Sequence, residues 1–230
     1  MTVRAAHKTS AARDTRSGPE TPDAEQRPAN TRERILDAGE RLVQVRGFNG
    51  FSYADIAAEL AITKASLHHH FPSKAGLGEA LIVRYTGRFG DALAAIDAKA
   101  SAPPAKLDAY AGLYVDVLRQ ERMCLCGMLA AEYQTLPAPV QGAVLAFLDE
   151  NEDWLERVLE QGLKDGSLRF TATARETARS ILGGLEGAML VARSRGELES
   201  FQGLVVVRAG PSAHAPQAVG HVADLKVSAT

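Results

Sequence analysis

Three observations predict an all-α fold of about nine helices. Apolar residues recur at helical spacing from Thr31 almost to Gly203, and the breaks between runs coincide with Gly or Pro. No strand is strongly signalled, the short apolar run "LVVVR" from Leu204 being ambiguous. The chain has 230 residues, 46% hydrophobic and 23% charged, enough for a sizeable core without staples. No apolar stretch approaches the roughly 18 to 20 residues that span a bilayer. The first thirty residues contain no run of the kind that directs export, so a cytoplasmic location is expected. A net charge of −2 excludes a globally basic surface. The two cysteines, Cys124 and Cys126, lie too close together to close a structural loop, which excludes a disulfide framework.

The elements follow in order. Residues 1–29, rich in Ala, Thr, Arg, Pro and acidic residues without apolar periodicity, read as a disordered arm. In "NTRERILDAGERLVQVRG" a first helix places Ile35, Ala38, Leu42 and Val45 on one face, with Asn30 or Thr31 capping its start and Gly47 its end. Ser52 caps a second helix in "SYADIAAEL", with Asp55 at its third position as a weaker capping box. Thr63 caps a third, "TKASLHHHF", which buries Leu67 and Phe71 and stops at Pro72. Two short helices joined by a tight turn, behind a longer supporting helix, make a helix-turn-helix unit. Beyond it, helices are expected from Lys74 to about Ala98, from Ala105 to about Arg122, over "LCGMLAAEYQT", from Val140 to Lys164 and from Thr173 to Arg195. Residues 204–230 read as a loose tail.

Three consecutive histidines, His68, His69 and His70, raise the question of a metal. Neighbours on a helix point about 100° apart, so these rings fan around the axis, and no acid or cysteine stands at the i+3 or i+4 spacing a shared metal needs. No metal site and no cofactor are expected. Outward-facing polar residues near the start of such a helix, Thr63, Lys64, Ser66, His68 and His69, instead suit base edges and phosphates. The acidic neighbours Asp149 and Glu150, or Glu152 and Asp153, diverge on a helix, and no nucleophile motif or phosphate loop accompanies them. An enzyme is not expected.

Residues Thr31 to Ile82 resemble the DNA-binding domain of the TetR family of transcriptional repressors. The shared order is a first helix ending in Gly-Phe, Ser before the second helix, Ile-Ala-Ala, Thr-Lys-Ala-Ser-Leu, then His-Phe-Pro-Ser-Lys. The resemblance implies that the third helix enters the major groove, with Thr63, Lys64, Ser66, His68, His69 and Lys74 as contacts and Thr31 and Ser52 as phosphate contacts at helix starts. Ala61 stands where the family commonly has Gly, and His68 where it has Tyr. By the same resemblance, residues 30–77 form the DNA-binding domain and 78–203 a helical domain for effector binding and dimerisation. The implied protein is a homodimeric repressor released from a palindromic double-stranded operator by a small-molecule effector, with no membrane partner.

The stretch "MCLCGMLAAEYQTLP" bears on that effector. Cys124, Cys126, Met128, Tyr133 and, further on, Trp154 are the candidate residues. The stretch is similar to a region through which some TetR-type repressors respond to electrophiles or oxidants. If a helix begins near Leu125, Cys124 lies at its start beside Arg122, where a thiol can have a lowered pKa. That thiol-sensor reading is the alternative; the favoured one is that both cysteines are small buried hydrophobes beside a pocket for an apolar compound.

Overall fold

The computed structural model describes residues 30–196, and among them it is all-helical, as expected, with eight α-helices and one short 3-10 turn. The arm before residue 30, the tail and "LVVVR" lie outside the described residues. The first helix, α1, is Thr31–Arg46. It buries Ile35, Leu36, Ala38, Leu42 and Val43, while Val45, expected inside, is only half-buried and Val43 takes the core position. Gly47 follows at φ +84, a left-handed turn that ends the helix without a Cβ penalty.

The next two helices are α2, Tyr53–Leu60, and α3, Lys64–His70. Asp55 accepts hydrogen bonds from the Ser52 amide at 2.7 Å and the Ser52 hydroxyl at 2.6 Å, and these hold its carboxyl below the usual range. Thr63 Oγ1 accepts from the Ser66 amide at 3.1 Å and starts α3. Between the two helices the chain reverses through Ala61, which sits at φ +53. The Ala61 amide donates to Ala58 O and the Ile62 amide to Ala57 O, the paired bonds of a left-handed helix stop. An L-residue there costs about 1–2 kcal/mol in backbone strain, of which the greater freedom of unfolded glycine returns part. Ala61→Gly should therefore stabilise the protein by about 1 kcal/mol, read as a rise of a few degrees in Tm.

Five further helices complete the molecule: α4 (Lys74–Lys99), α5 (Pro103–Arg119), α6 (Leu125–Ala131), α7 (Ala138–Asp165) and α8 (Ala174–Arg195). Differences from the expected bounds have local causes. Helix α5 starts two residues early because Pro103 and Pro104 occupy its first positions, where no amide is needed. It ends early because Glu121 turns left-handed at φ +58. The single helix expected over 125–135 divides at Glu132, and its last turn tightens into a 3-10 turn over Tyr133–Thr135. Thr173, expected as the first residue of the last helix, is its cap: its hydroxyl accepts from the Glu176 amide at 3.2 Å, and Glu176 accepts in return from the Thr173 amide at 2.9 Å.

Helices α7 and α8 lie against each other, and α7 also packs on α4 and α5. Arg84 and Arg88 of α4 meet the acidic face of α1. Arg84 donates to Asp37 at 2.7 Å, Glu40 at 2.9 Å and Glu33 at 3.3 Å, and Arg88 to both Glu40 oxygens at 2.5 Å. Two further ties join the helix-turn-helix unit to the rest. Glu132 accepts from the Asn49 amide at 3.0 Å. Arg193, near the end of α8, donates to Gln44 O at 2.9 Å and Val45 O at 2.5 Å, carbonyls that the end of α1 leaves open.

Candidate functional site

Helix α3 has one buried side and one open one. Leu67 is fully buried beneath it, whereas Thr63, Lys64, His68 and His69 are exposed and Ser66 is half-buried. The far end of the helix is held by Tyr53 of α2, whose hydroxyl donates to Phe71 O at 2.8 Å, and by the Arg32 guanidinium 5.2 Å from the Phe71 ring centre. The His68 ring rests against Tyr53 at 4.9 Å, so His68 is steered by a residue of α2, while His69 and Lys64 are exposed on the open side of the helix. His70 is half-buried and touches the His69 ring at 5.4 Å. Ser52 is exposed at the head of α2, and Thr31 is half-buried at the head of α1.

Lys74 departs from the expected pattern. Its ammonium donates to Phe51 O at 2.5 Å and lies 4.8 Å and 4.4 Å from the ring centres of Phe48 and Phe51. Burial pushes its pKa down against the pull of Glu132 and Asp55. Here Lys74 clamps the loop between α1 and α2, and its charge turns inward.

In the other half, aromatic rings from α4, α5 and α7 converge. Phe89 stands among Tyr85, Tyr110, Tyr114 and Phe147, with ring centres 5.2 to 6.2 Å away. Trp154 stacks on Tyr110 at 5.4 Å and donates its indole N–H to Asp97 at 2.9 Å. A polar thread runs through these rings. The Tyr110 hydroxyl donates to Asn151 Oδ1 at 3.0 Å and lies 3.1 Å from the Tyr114 hydroxyl, and Tyr85 reaches Cys124 Sγ at 3.7 Å. Burial raises the pKa of all three tyrosines, so they stay protonated as donors.

Of the effector candidates, Trp154 and Cys124 join this cluster, Cys126 is buried, and Met128 and Tyr133 are half-buried. Cys124 does occupy the start of α6, but its surroundings are those of the buried-hydrophobe reading and not of the reactive-thiol alternative. Burial and the nearby Glu186 carboxylate push the Cys124 thiol well above its ordinary value, and burial does the same for Cys126. Both cysteines of the native protein should resist iodoacetamide at pH 8 and react fully only after denaturation, as read by mass spectrometry. Fast labelling of Cys124 in the folded state would restore the reactive-thiol alternative.

The sequence reading missed Tyr85, Phe89, Tyr110, Tyr114, Asn151 and Glu186. Single tyrosines on helix faces read as ordinary core, and the only local signal was the polar Asn151 standing in the apolar stripe of α7. Among the described residues, no group of three or more His, Cys, Asp or Glu side chains gathers as a metal site. No described helix is long and apolar enough to cross a membrane.

An open polar helix on a rigid three-helix support, joined to a helical domain with a buried aromatic core, defines a helix-turn-helix regulator of the one-component class. Residues 35–81 match the family described as bacterial regulatory proteins, tetR family, and residues 103–204 the tetracyclin repressor-like C-terminal domain. A TetR transcriptional regulator from Legionella pneumophila is 33% identical, with a TM-score of 0.71 over 78% of this chain and 95% of that one. A TetR-family regulator from Agrobacterium tumefaciens is 36% identical, with a TM-score of 0.73 over 75% and 92%. The HTH-type transcriptional repressor DhaR of Mycobacterium sp. (strain GP1) is 24% identical over 185 residues, 79% of this chain and 93% of that protein. The chain belongs to the TetR family of transcriptional regulators.

Proposed function

We propose that this regulator is a homodimeric repressor, not an enzyme, which binds a palindromic operator through α3 and leaves it when a small molecule binds the helical domain. The observation that carries this reading is the two-sided α3, with Leu67 locked beneath it and Thr63, Lys64, His68 and His69 open above it. Residues 30–77 act as the DNA-binding domain, with Ser52, Ser66 and Thr31 as further contacts, and residues 78–203 as the effector-binding and dimerisation domain. The cytoplasm is the location that suits this work. The similarity to DhaR, a repressor by name, favours repression over activation.

Dimerisation is assigned to α7 and α8, which leave Leu145, Leu163, Leu190 and Val191 exposed. Along α8, Gly183, Gly184 and Gly187 have open space where side chains would stand, so a second helix can approach closely. A twofold pair presents two α3 helices to successive major grooves, about 34–36 Å apart.

The test is a gel-shift titration with the duplex flanking the protein's own coding region, repeated across a salt series. Tight binding of a palindrome, weakening steeply with salt as phosphate counterions are displaced, supports the reading. Failure to bind any duplex from that region or from a randomised library would overturn it.

A further inference from the structure

Among the described residues, Glu186 of α8 stands out as a carboxylate with both oxygens buried, no N–H or O–H donor meeting either, and the weakly donating Cys124 thiol beside it. A buried acid is ordinarily paired or neutralised, because an unpaired charge in the interior costs far more than it returns. The surroundings show that its position is specified. Its oxygens lie so close to Gly127 of α6 that any Cβ there would overlap Glu186 Oε2, so a glycine makes the room. Around it stand Cys124 at the head of α6, Tyr85 of α4, and Tyr110 and Tyr114 of α5, all of which feel its charge. A buried carboxylate with only a thiol beside it and three tyrosines are thus brought from four helices into one region of the interior.

We propose that Glu186 and the aromatic cluster form the recognition site for an organic cation, an ammonium or amidinium on an apolar or aromatic body, and that this is the effector class. The inference rests on the effector-released repressor described above and names the chemistry of its ligand. A carboxylate supplies a charge-assisted partner for such a head group, and the faces of Tyr85, Tyr110 and Tyr114 attract a cation through their ring quadrupoles. An anionic effector gains no such partner here, and above neutrality it meets a like charge.

Burial pushes the Glu186 carboxyl up to about 7 against the opposing pull of the Cys124 thiol, so near neutrality the group is partly protonated and an arriving cation displaces that proton. Burial keeps Tyr85, Tyr110, Tyr114, Cys124 and Cys126 protonated through the same range, so none of them competes for this role. Cation affinity should rise with pH between about 6 and 8 and level off above.

Trp154, the chain's single tryptophan, stacks on Tyr110 and reports on the cluster. The experiment is a Trp154 fluorescence titration of the full-length protein with benzyltrimethylammonium and with neopentylbenzene, its uncharged isostere, on wild type and Glu186→Gln. Wild type should bind the cation at least tenfold more tightly than the isostere. Glu186→Gln, close in shape and relieved of a buried ionisable group, should keep its fold by thermal melting and lose that preference. Equal binding of the two probes by wild type, a preference that survives in Glu186→Gln, or no saturable binding of the cation would overturn the inference. Operator binding without ligand is measured in parallel: a protein that holds its operator and shows no cation preference overturns this inference alone, whereas one that holds no operator overturns the repressor reading itself.

Discussion

Glu40→Ala is expected to lower the stability of the protein by about 3 kcal/mol, among the largest effects of any single substitution outside the aromatic core. Glu40 is buried on α1 and accepts from both Arg84 and Arg88 of α4. Removing it leaves the Arg84 guanidinium, which is only 18% exposed, with Asp37 and Glu33, both far more open to water and weaker as partners. Arg88 is half-exposed and can turn to solvent, so the loss comes mainly from Arg84. The check is urea denaturation at fixed protomer concentration, since a dimer's apparent stability depends on concentration. A loss under about 1 kcal/mol would show that water already screens the cluster. Replacing Glu40 and Arg84 together by apolar residues should recover most of the loss, because the cost is an unpaired buried charge more than a missing attraction.

The second large effect falls on DNA binding and leaves folding alone. Lys64→Ala combined with His69→Ala should weaken operator binding about 100-fold, on the scale of roughly 1–3 kcal/mol for each lost base contact. Neither side chain has a packing role: both are exposed, and Leu67 carries the burial of α3. The melting temperature should therefore stay within a degree or two of wild type. If Lys64 touches phosphate, its removal also flattens the salt dependence by about one unit of slope; if it reads a base, the slope holds and the sequence preference relaxes. A double variant that binds the operator as tightly as wild type would remove α3 from the interface.

The helix-turn-helix unit was legible in the sequence because its punctuation is local. Ser52, Thr63, Gly47 and Pro72 each act on backbone groups within a few residues, and each stands where a helix starts or stops. The inward turn of Lys74 was not legible, for the opposite reason. Its place in the first turn of α4 suggests an exposed charge, but Phe48 and Phe51, more than twenty residues earlier, fold over it and offer a carbonyl. The aromatic core was the least legible part, since Tyr85, Tyr110, Asn151 and Glu186 come from four helices and carry no shared spacing. The choice between the two readings of Cys124 was open in the sequence for the same reason: a helix start lowers a thiol pKa only where water or a cation is near, and here the fold supplies a carboxylate and hydrocarbon instead.

The bond from Arg193 to the end of α1 has a consequence for synthesis. It joins residues 149 and 148 positions apart, so the first described helix is capped by the last. On a ribosome adding about 5–20 residues per second, α1 emerges roughly 7–30 s before the arginine that closes it. During that interval the nascent chain carries a DNA-binding unit whose seat on the helical domain is unfinished. The last turn of α1 therefore reaches its described set of partners only once α8 has been made, and a chain cut short before Arg193 lacks this clasp.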